Sequence, residues 1–284
     1  MSARNSEESL REAAEMGDAA AQFRLGSMYL SGDGVAPDEK EALGWVRRAA
    51  ERGHAGAQYV MGFMLANGIG MARNSEAAVE WYRGAAEQGH ANAQYKLALA
   101  YAKGEGVARD AAEAARWFAE AAKRGHAGAQ CNLGGMHYRG HGMPQSYEEA
   151  ARWYRMAAEQ GDSYARHNLG VMHANGRGVE KNDEEAVRWY RLAAEQGHAG
   201  AQCNLGGMYY RGQGVAQDYA EAAKWYRLAA EQGQASAEYH LGMIYDKGLA
   251  AAPDEDEAVQ WVLKAAAQGF AAAKEALREK GLDR

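Results

Sequence analysis

Tryptophan recurs in this chain with a period that leaves few folds open. Trp45, Trp81, Trp117, Trp153, Trp189, Trp225 and Trp261 each stand 36 residues after the one before. Gly17, Gly53, Gly89, Gly125, Gly161, Gly197, Gly233 and Gly269 keep the same step. A fixed period of that length is the mark of a repeat array, in which each unit buries its apolar faces against its neighbours. One unit reads Ala199 to Gln234, and repeat positions are counted here from its first residue.

Within a unit the pattern predicts two helices. Leu205, Met208 and Tyr209 lie at helical spacing in helix A, expected over 199–211, and a Gly212-x-Gly214-Val215 loop follows. Helix B is expected to start after Asp38, Asn74, Asp110, Ser146, Asn182, Asp218 and Asp254, all good N-cap types. Glu lies three residues on in six of the seven units, close to a capping box. With 63 Ala and only 3 Pro, the composition favours helix throughout. The Trp column is expected to fill core layers between hairpins, as are the methionines of one helix A slot, Met28, Met64, Met136, Met172 and Met208. Gly26, Gly62, Gly134, Gly170, Gly206 and Gly242, with Ala98, hold a slot where helices approach closely.

These residues define the expected organisation. The chain is all-α, a solenoid of about seven 36-residue helix-turn-helix repeats forming one repeat domain over 1–284. The repeats are 19–54, 55–90, 91–126, 127–162, 163–198, 199–234 and 235–270. A capping helix precedes them in 1–18 and another follows in 271–284.

The recurring string Ala-x-Ala-Gln-Tyr-x-Leu-Gly-x-x-Tyr-x-x-Gly-x-Gly-Val, then Trp-Tyr-x-x-Ala-Ala-x-Gln-Gly, resembles the Sel-one-like repeats (SLR), relatives of the tetratricopeptide repeats. It covers Ala19 to Phe270. The resemblance implies a right-handed superhelix with helix A lining the concave side. It also implies adaptor or scaffold roles, often in bacterial signalling, envelope biology or host interaction. Some secreted relatives are cysteine-rich and linked to β-lactam binding, but this chain lacks their paired cysteines.

Several chemical signals reduce to structure. Gly32-Asp33-Gly34 is followed by Val35, Ala36 and Pro37 between helices, whereas a dinucleotide fingerprint needs a third Gly between strand and helix. His54, His90, His126 and His198 are expected to help start the next helix A, and His137 and His173 to be packed where other units have Tyr. Cys131 and Cys203 stand two units apart, too far for a shared zinc or a disulfide at the usual packing distance of about 8–10 Å per helix. No cofactor and no metal are expected. Arg47, Arg83, Arg155, Arg191 and Arg227, four residues before a Glu, read as solvated helix pairs.

One pattern points to function. The net charge is −6, with a pI near 5.9, yet helix A carries no acidic residue in the first six units. It carries Arg24, Lys96, Lys103, Arg139, Arg166 and Arg211. Asn132, Asn168 and Asn204 recur at position 6, where an amide can both donate to and accept from an extended peptide. The alternative for these amides is bonding to a neighbouring helix. The candidate peptide-binding residues are Lys103, Asn132, Tyr138, Arg139, His167, Asn168, Asn204, Tyr210 and Arg211. Aromatic and Arg anchors beside small residues are what interfaces use as hot spots.

The expected function is that of a non-catalytic adaptor holding an extended polypeptide, acidic or carboxylate-ended, in the concave groove. The rival readings are an enzyme or small-ligand receptor using groove His and Tyr, and a weak single-stranded nucleic-acid binder. Against the enzyme stands the lack of a nucleophile–base pair, and against nucleic acid the overall negative charge. No apolar run approaches the roughly 18 residues of a membrane span. The polar start carries no visible signal, so a cytoplasmic monomer is expected, or a periplasmic or secreted one if a signal has been removed.

Overall fold

The computed structural model describes residues 2–282, with side chains from Glu8 onward. Met1 and residues 283–284 of the two expected caps lie outside the described residues. Sixteen helices and no strand are found among the described residues. They form an all-α solenoid of 36-residue hairpins, in two compact units.

The first unit ends at Gln145. It holds the cap α1 (Ser2–Glu15) and the helices A α2 (Ala19–Ser31), α4 (Ala55–Asn67), α6 (Ala91–Lys103) and α8 (Ala127–Arg139). Between them lie the helices B α3 (Glu39–Glu51), α5 (Ser75–Glu87) and α7 (Ala111–Lys123). The second unit starts at Ser146. Its helices B are α9 (Tyr147–Glu159), α11 (Asp183–Ala194), α13 (Tyr219–Glu231) and α15 (Glu255–Ala267). They alternate with α10 (Ser163–Asn175), α12 (Ala199–Arg211) and α14 (Ala235–Asp246), and α16 (Ala271–Glu279) closes the row. Within each unit every helix packs on the next.

Local chemistry sets the boundaries. All seven expected caps of helix B accept a backbone N–H with the side chain, Asp218 Oδ1 from Glu221 at 3.0 Å for example. Helix A begins at a less common cap. The Nδ1 atoms of His54, His90, His126 and His198 accept from Ala57, Ala93, Ala129 and Ala201 at 3.1–3.2 Å. Accepting requires the ring to be neutral at Nδ1. At the second loop glycine the chain touches the preceding repeat. A Cβ on Gly214, whose φ is +66°, would lie 2.2 Å from the carbonyl oxygen of Asp183.

The core differs from expectation at its largest residue. Trp45 and Trp117 are buried, but Trp81, Trp153, Trp189, Trp225 and Trp261 are half-buried. The side chain sealed inside is the next one: Tyr82, Phe118, Tyr154, Tyr190 and Tyr226 are all at most 5% exposed. Of the half-buried rings, Trp153, Trp189, Trp225 and Trp261 lie beneath cations, with Lys264 Nζ 3.9 Å from the Trp261 ring, as does the buried Trp117 beneath Arg116 at 4.5 Å. Position 8 is glycine because helix B comes so close. A Cβ on Gly62 would meet Tyr82 at 2.7 Å and the Ala78 carbonyl at 3.0 Å. Met64, Met136, Met172 and Met208 are buried as expected, while Met28 is half-buried.

Candidate peptide-binding surface

Helix A presents its cations to solvent at position 13. Lys103, Arg139 and Arg211 are exposed, each the last residue of its helix. Lys103 Nζ lies 3.8 Å from Glu105 Oε1, and Arg211 Nε donates to Gln213 Oε1 at 2.6 Å. In both cases the residue two positions on holds the cation over the loop.

The asparagine row is less available than its spacing suggests. Asn132 Nδ2 donates to the Gly128 carbonyl of its own helix at 2.7 Å. Asn204 Nδ2 lies 3.1 Å from His167 Nε2 and also bonds the Tyr190 hydroxyl, while Asn168 bonds His167. His167 is stacked on His198, centroids 4.6 Å apart, and tilted against Tyr190. Burial, with His198 alongside, pulls its pKa down to about 4. At neutral pH His167 is therefore an uncharged member of an internal network. In the second unit Asn204 does bond neighbouring helices, while Asn168 bonds within its own. Asn204 nonetheless keeps an edge on a cleft described below.

Tyr210 packs on the cluster of Tyr226, Leu241 and Ile244, its ring 5.4 Å from that of Tyr219. Its carbonyl accepts Gln217 Nε2 at 2.9 Å, as that of Tyr138 accepts Gln145 Nε2. Both tyrosines are half-buried.

Two of the six helix A cations have other duties or surroundings. Arg166 Nε donates to the Ala158 carbonyl at 3.0 Å, which is the task of Gln22, Gln94, Gln130 and Gln202 elsewhere. It is a structural stand-in rather than a groove charge. Lys96 is half-buried and lines a cleft. The arginines of helix B also differ from expectation: Arg83, Arg191 and Arg227 donate to the hydroxyls of Tyr101, Tyr209 and Tyr245 in the next repeat. These bonds tie consecutive repeats together.

Each unit holds a cleft that sequence reading missed. In the first, Arg73, Lys96 and Lys103 surround a space of about 270 Å³ floored by Tyr82. In the second, Lys181 and Arg211 border about 410 Å³ floored by Tyr190, with Asn204 and Asp183 on the wall. The loop cations Arg73 and Lys181 had no signal in helical spacing. Their signal is positional, since both stand at position 19 of a repeat whose position 12 is Ala.

Neither cysteine is in a disulfide. Cys203 Sγ lies 3.1 Å from Ser236 Oγ, and burial pushes its thiol pKa up, away from a reactive thiolate. Among the described residues no three of His, Cys, Asp and Glu gather as a metal set. None of the described helices is long and apolar enough to cross a membrane.

The Sel1 repeat family model matches seven times, at 19–54, 55–90, 91–126, 127–162, 163–198, 199–234 and 235–270. The chain belongs to the Sel1 repeat family. Such proteins are in general protein-interaction scaffolds, and the family is typically non-catalytic. The chain is similar to the protective antigen c5321 of uropathogenic Escherichia coli, which displays an SLR fold. Identity is 39% with a TM-score of 0.87 over 95% of this chain, and the match spans 58% of that protein. It is also similar to a Sel1 repeat protein from Oxalobacter formigenes, at 32% identity and a TM-score of 0.76, over 86% of this chain and 96% of the other. Among curated proteins none matches.

Proposed function

We propose that this Sel1 repeat protein is a non-catalytic adaptor whose helix A surface holds an extended, acidic or carboxylate-ended polypeptide segment. One observation carries the reading. In both units a helix A cation at position 13 stands exposed beside a cleft lined by at least one further cation, in a chain of net charge −6. Acid enters helix A only in the seventh repeat, as Glu238 and Asp246. Arg and Lys bonds to a carboxylate are charge-assisted and about twice as strong as neutral ones. Repeat surfaces of this kind suit extended segments, which bind over many small contacts.

The test uses partners captured from lysate and identified by mass spectrometry, then titrated calorimetrically. Replacing Lys103→Glu together with Arg211→Glu removes one such cation from each unit and adds repulsion. Each lost charge-assisted bond contributes about 1.5–3 kcal/mol, so a micromolar complex should weaken beyond detection, with helicity and melting nearly intact. Normal binding by the double variant would remove the acidic-segment reading.

A further inference from the structure

The two clefts are the same site built twice. Arg73, Ser75 and Tyr82 occupy positions 19, 21 and 28 of the second repeat; Lys181, Asp183 and Tyr190 occupy them in the fifth. The far wall comes from positions 6, 13 and 15 of the following repeat: Lys96, Lys103 and Glu105 in one case, Asn204, Arg211 and Gln213 in the other. Position 12 is what leaves the space. It is Ala66 and Ala174 in these repeats.

Other repeats close the slot. Where position 12 is Tyr, as in Tyr138 and Tyr210, position 19 is Gln145 or Gln217 and position 21 is Tyr147 or Tyr219. In the sixth repeat the Tyr210 ring fills the slot against Tyr219 and the Tyr226 cluster, and Gln217 locks the Tyr210 carbonyl. Five of the seven repeats thus fall into two kinds, the first and seventh carrying Leu30 and Asp246 at position 12. In all three with Ala at position 12 (Ala66, Ala102, Ala174), position 19 is basic (Arg73, Arg109, Lys181). Position 13 of the repeat that follows is also basic in all three (Lys103, Arg139, Arg211). The cation at 13 that follows a Tyr repeat is Lys247.

We infer that each Ala-type cleft is a subsite for one acidic residue of a polypeptide, its carboxylate between the cations at positions 19 and 13 and its backbone N–H at the rim. The inference rests on the adaptor reading and assigns that reading its contact points. Both clefts are net positive, with Arg73, Lys96 and Lys103 against Glu105 in the first, and in the second the charge selects a monoanion. In the fifth-repeat cleft two cations face the single carboxylate of Asp183, leaving one positive charge to be met, and a dianion would confront Asp183. The rim selects a peptide. Asn67 and Asn175, at position 13 of the second and fifth repeats, donate Nδ2 to the carbonyls of Phe63 and Val171 at 2.8 Å. Each amide oxygen remains at the cleft edge as an acceptor for a backbone N–H.

The probe is a fluorescein-labelled peptide of alternating Glu and Gly, titrated by anisotropy at low salt. Ala66→Tyr with Ala174→Tyr closes both clefts without touching any charge, using a side chain that the fourth and sixth repeats already accommodate. Affinity should fall about tenfold or more, the worth of a charge-assisted contact, with melting close to wild type. Conversely, Tyr210→Ala with Gln217→Lys and Tyr219→Asp should open a new cleft beside Lys247 and tighten binding by a similar factor. Acetate at matched ionic strength should compete better than inorganic phosphate.

Unchanged affinity in a folded double-Tyr variant overturns the inference while leaving the adaptor reading in place. If that variant unfolds, absence of a gain in the opened variant overturns it equally. Stronger competition by phosphate overturns the carboxylate assignment. Failure of the wild-type protein to bind the acidic peptide removes the clefts and the acidic-partner reading together.

Discussion

Gln94 reaches back across the turn between two repeats and donates its Nε2 to the carbonyl of Ala86, 3.0 Å away. Ala86 belongs to the last turn of α5, beyond the regular helical ladder, where its carbonyl also accepts the Gly89 N–H at 2.9 Å. Gln22, Gln130 and Gln202 make the same bond to Ala14, Ala122 and Ala194. These glutamines are almost wholly buried, so each couples the end of one hairpin to the start of the next. Gln94→Leu or Gln202→Leu should cost about 1–3 kcal/mol in urea denaturation. Gln202→Arg should cost less, because Arg166 already performs this task with its Nε.

Acid should loosen the array through its histidine caps. Burial lowers the pKa of His90, His126 and His198 below the ordinary 6.5, and that of His167 to about 4. A depressed folded-state pKa means the unfolded chain binds protons first. The contribution is therefore complete above pH 6.5 and is lost as pH falls from there toward the folded-state values. Melting temperature should drop between pH 6.5 and 4. Replacing His126→Asp and His198→Asp should flatten that slope, since Asp162 caps α10 through a carboxylate. An equal slope in the variant would assign the loss to other groups.

Burial ranks the Trp-Tyr pairs of α9 and α11 against the sequence expectation. Tyr154→Ala and Tyr190→Ala should each cost about 3–5 kcal/mol, as for a large core side chain. Trp153→Ala and Trp189→Ala should cost less, about 1–3 kcal/mol, because only part of each ring leaves water and the cation contact is partly solvated. Guanidinium denaturation of the four single variants gives the order directly; a larger loss for Trp would place the core on the wrong residue.

Gly214→Ala should destabilise by about 2 kcal/mol or more, because the backbone is left-handed there and the added carbon meets the Asp183 carbonyl. Gly233→Ala also sits at positive φ, but its Cβ meets nothing within 4 Å. It should cost less, and the difference between the two melting temperatures isolates the contact from the backbone strain.

The architecture was legible because its signals are periodic and local. Asp38 to Asp254 cap helix B where their spacing says, and the helices A from α2 to α12 end where Gly32, Gly68, Gly104, Gly140, Gly176 and Gly212 enter the left-handed region. Lys103, Arg139 and Arg211 were legible as an exposed set for the same reason. What escaped was contact between residues distant in the chain. Asn132, Asn168 and Asn204 looked like three rungs of one ladder, but Asn132 bonds its own helix, Asn168 bonds the adjacent His167, and Asn204 reaches His167 across repeats. The clefts escaped because their walls come from two repeats and their opening depends on the absence of a side chain at Ala66 and Ala174. Helical spacing cannot report a vacancy.

That vacancy has an evolutionary corollary. Whether a repeat is open or closed is written at positions 12, 19 and 21, a span of ten residues inside one unit. The choice therefore travels with the repeat when the array gains or loses a copy. Because the far wall belongs to the next repeat, duplicating the pair 163–234 would append another open slot complete with its Arg211, and duplicating 199–234 alone would append a closed one. A partner's acidic residues could then be matched by shuffling whole units, so that the order of repeats along the chain acts as a rewritable address.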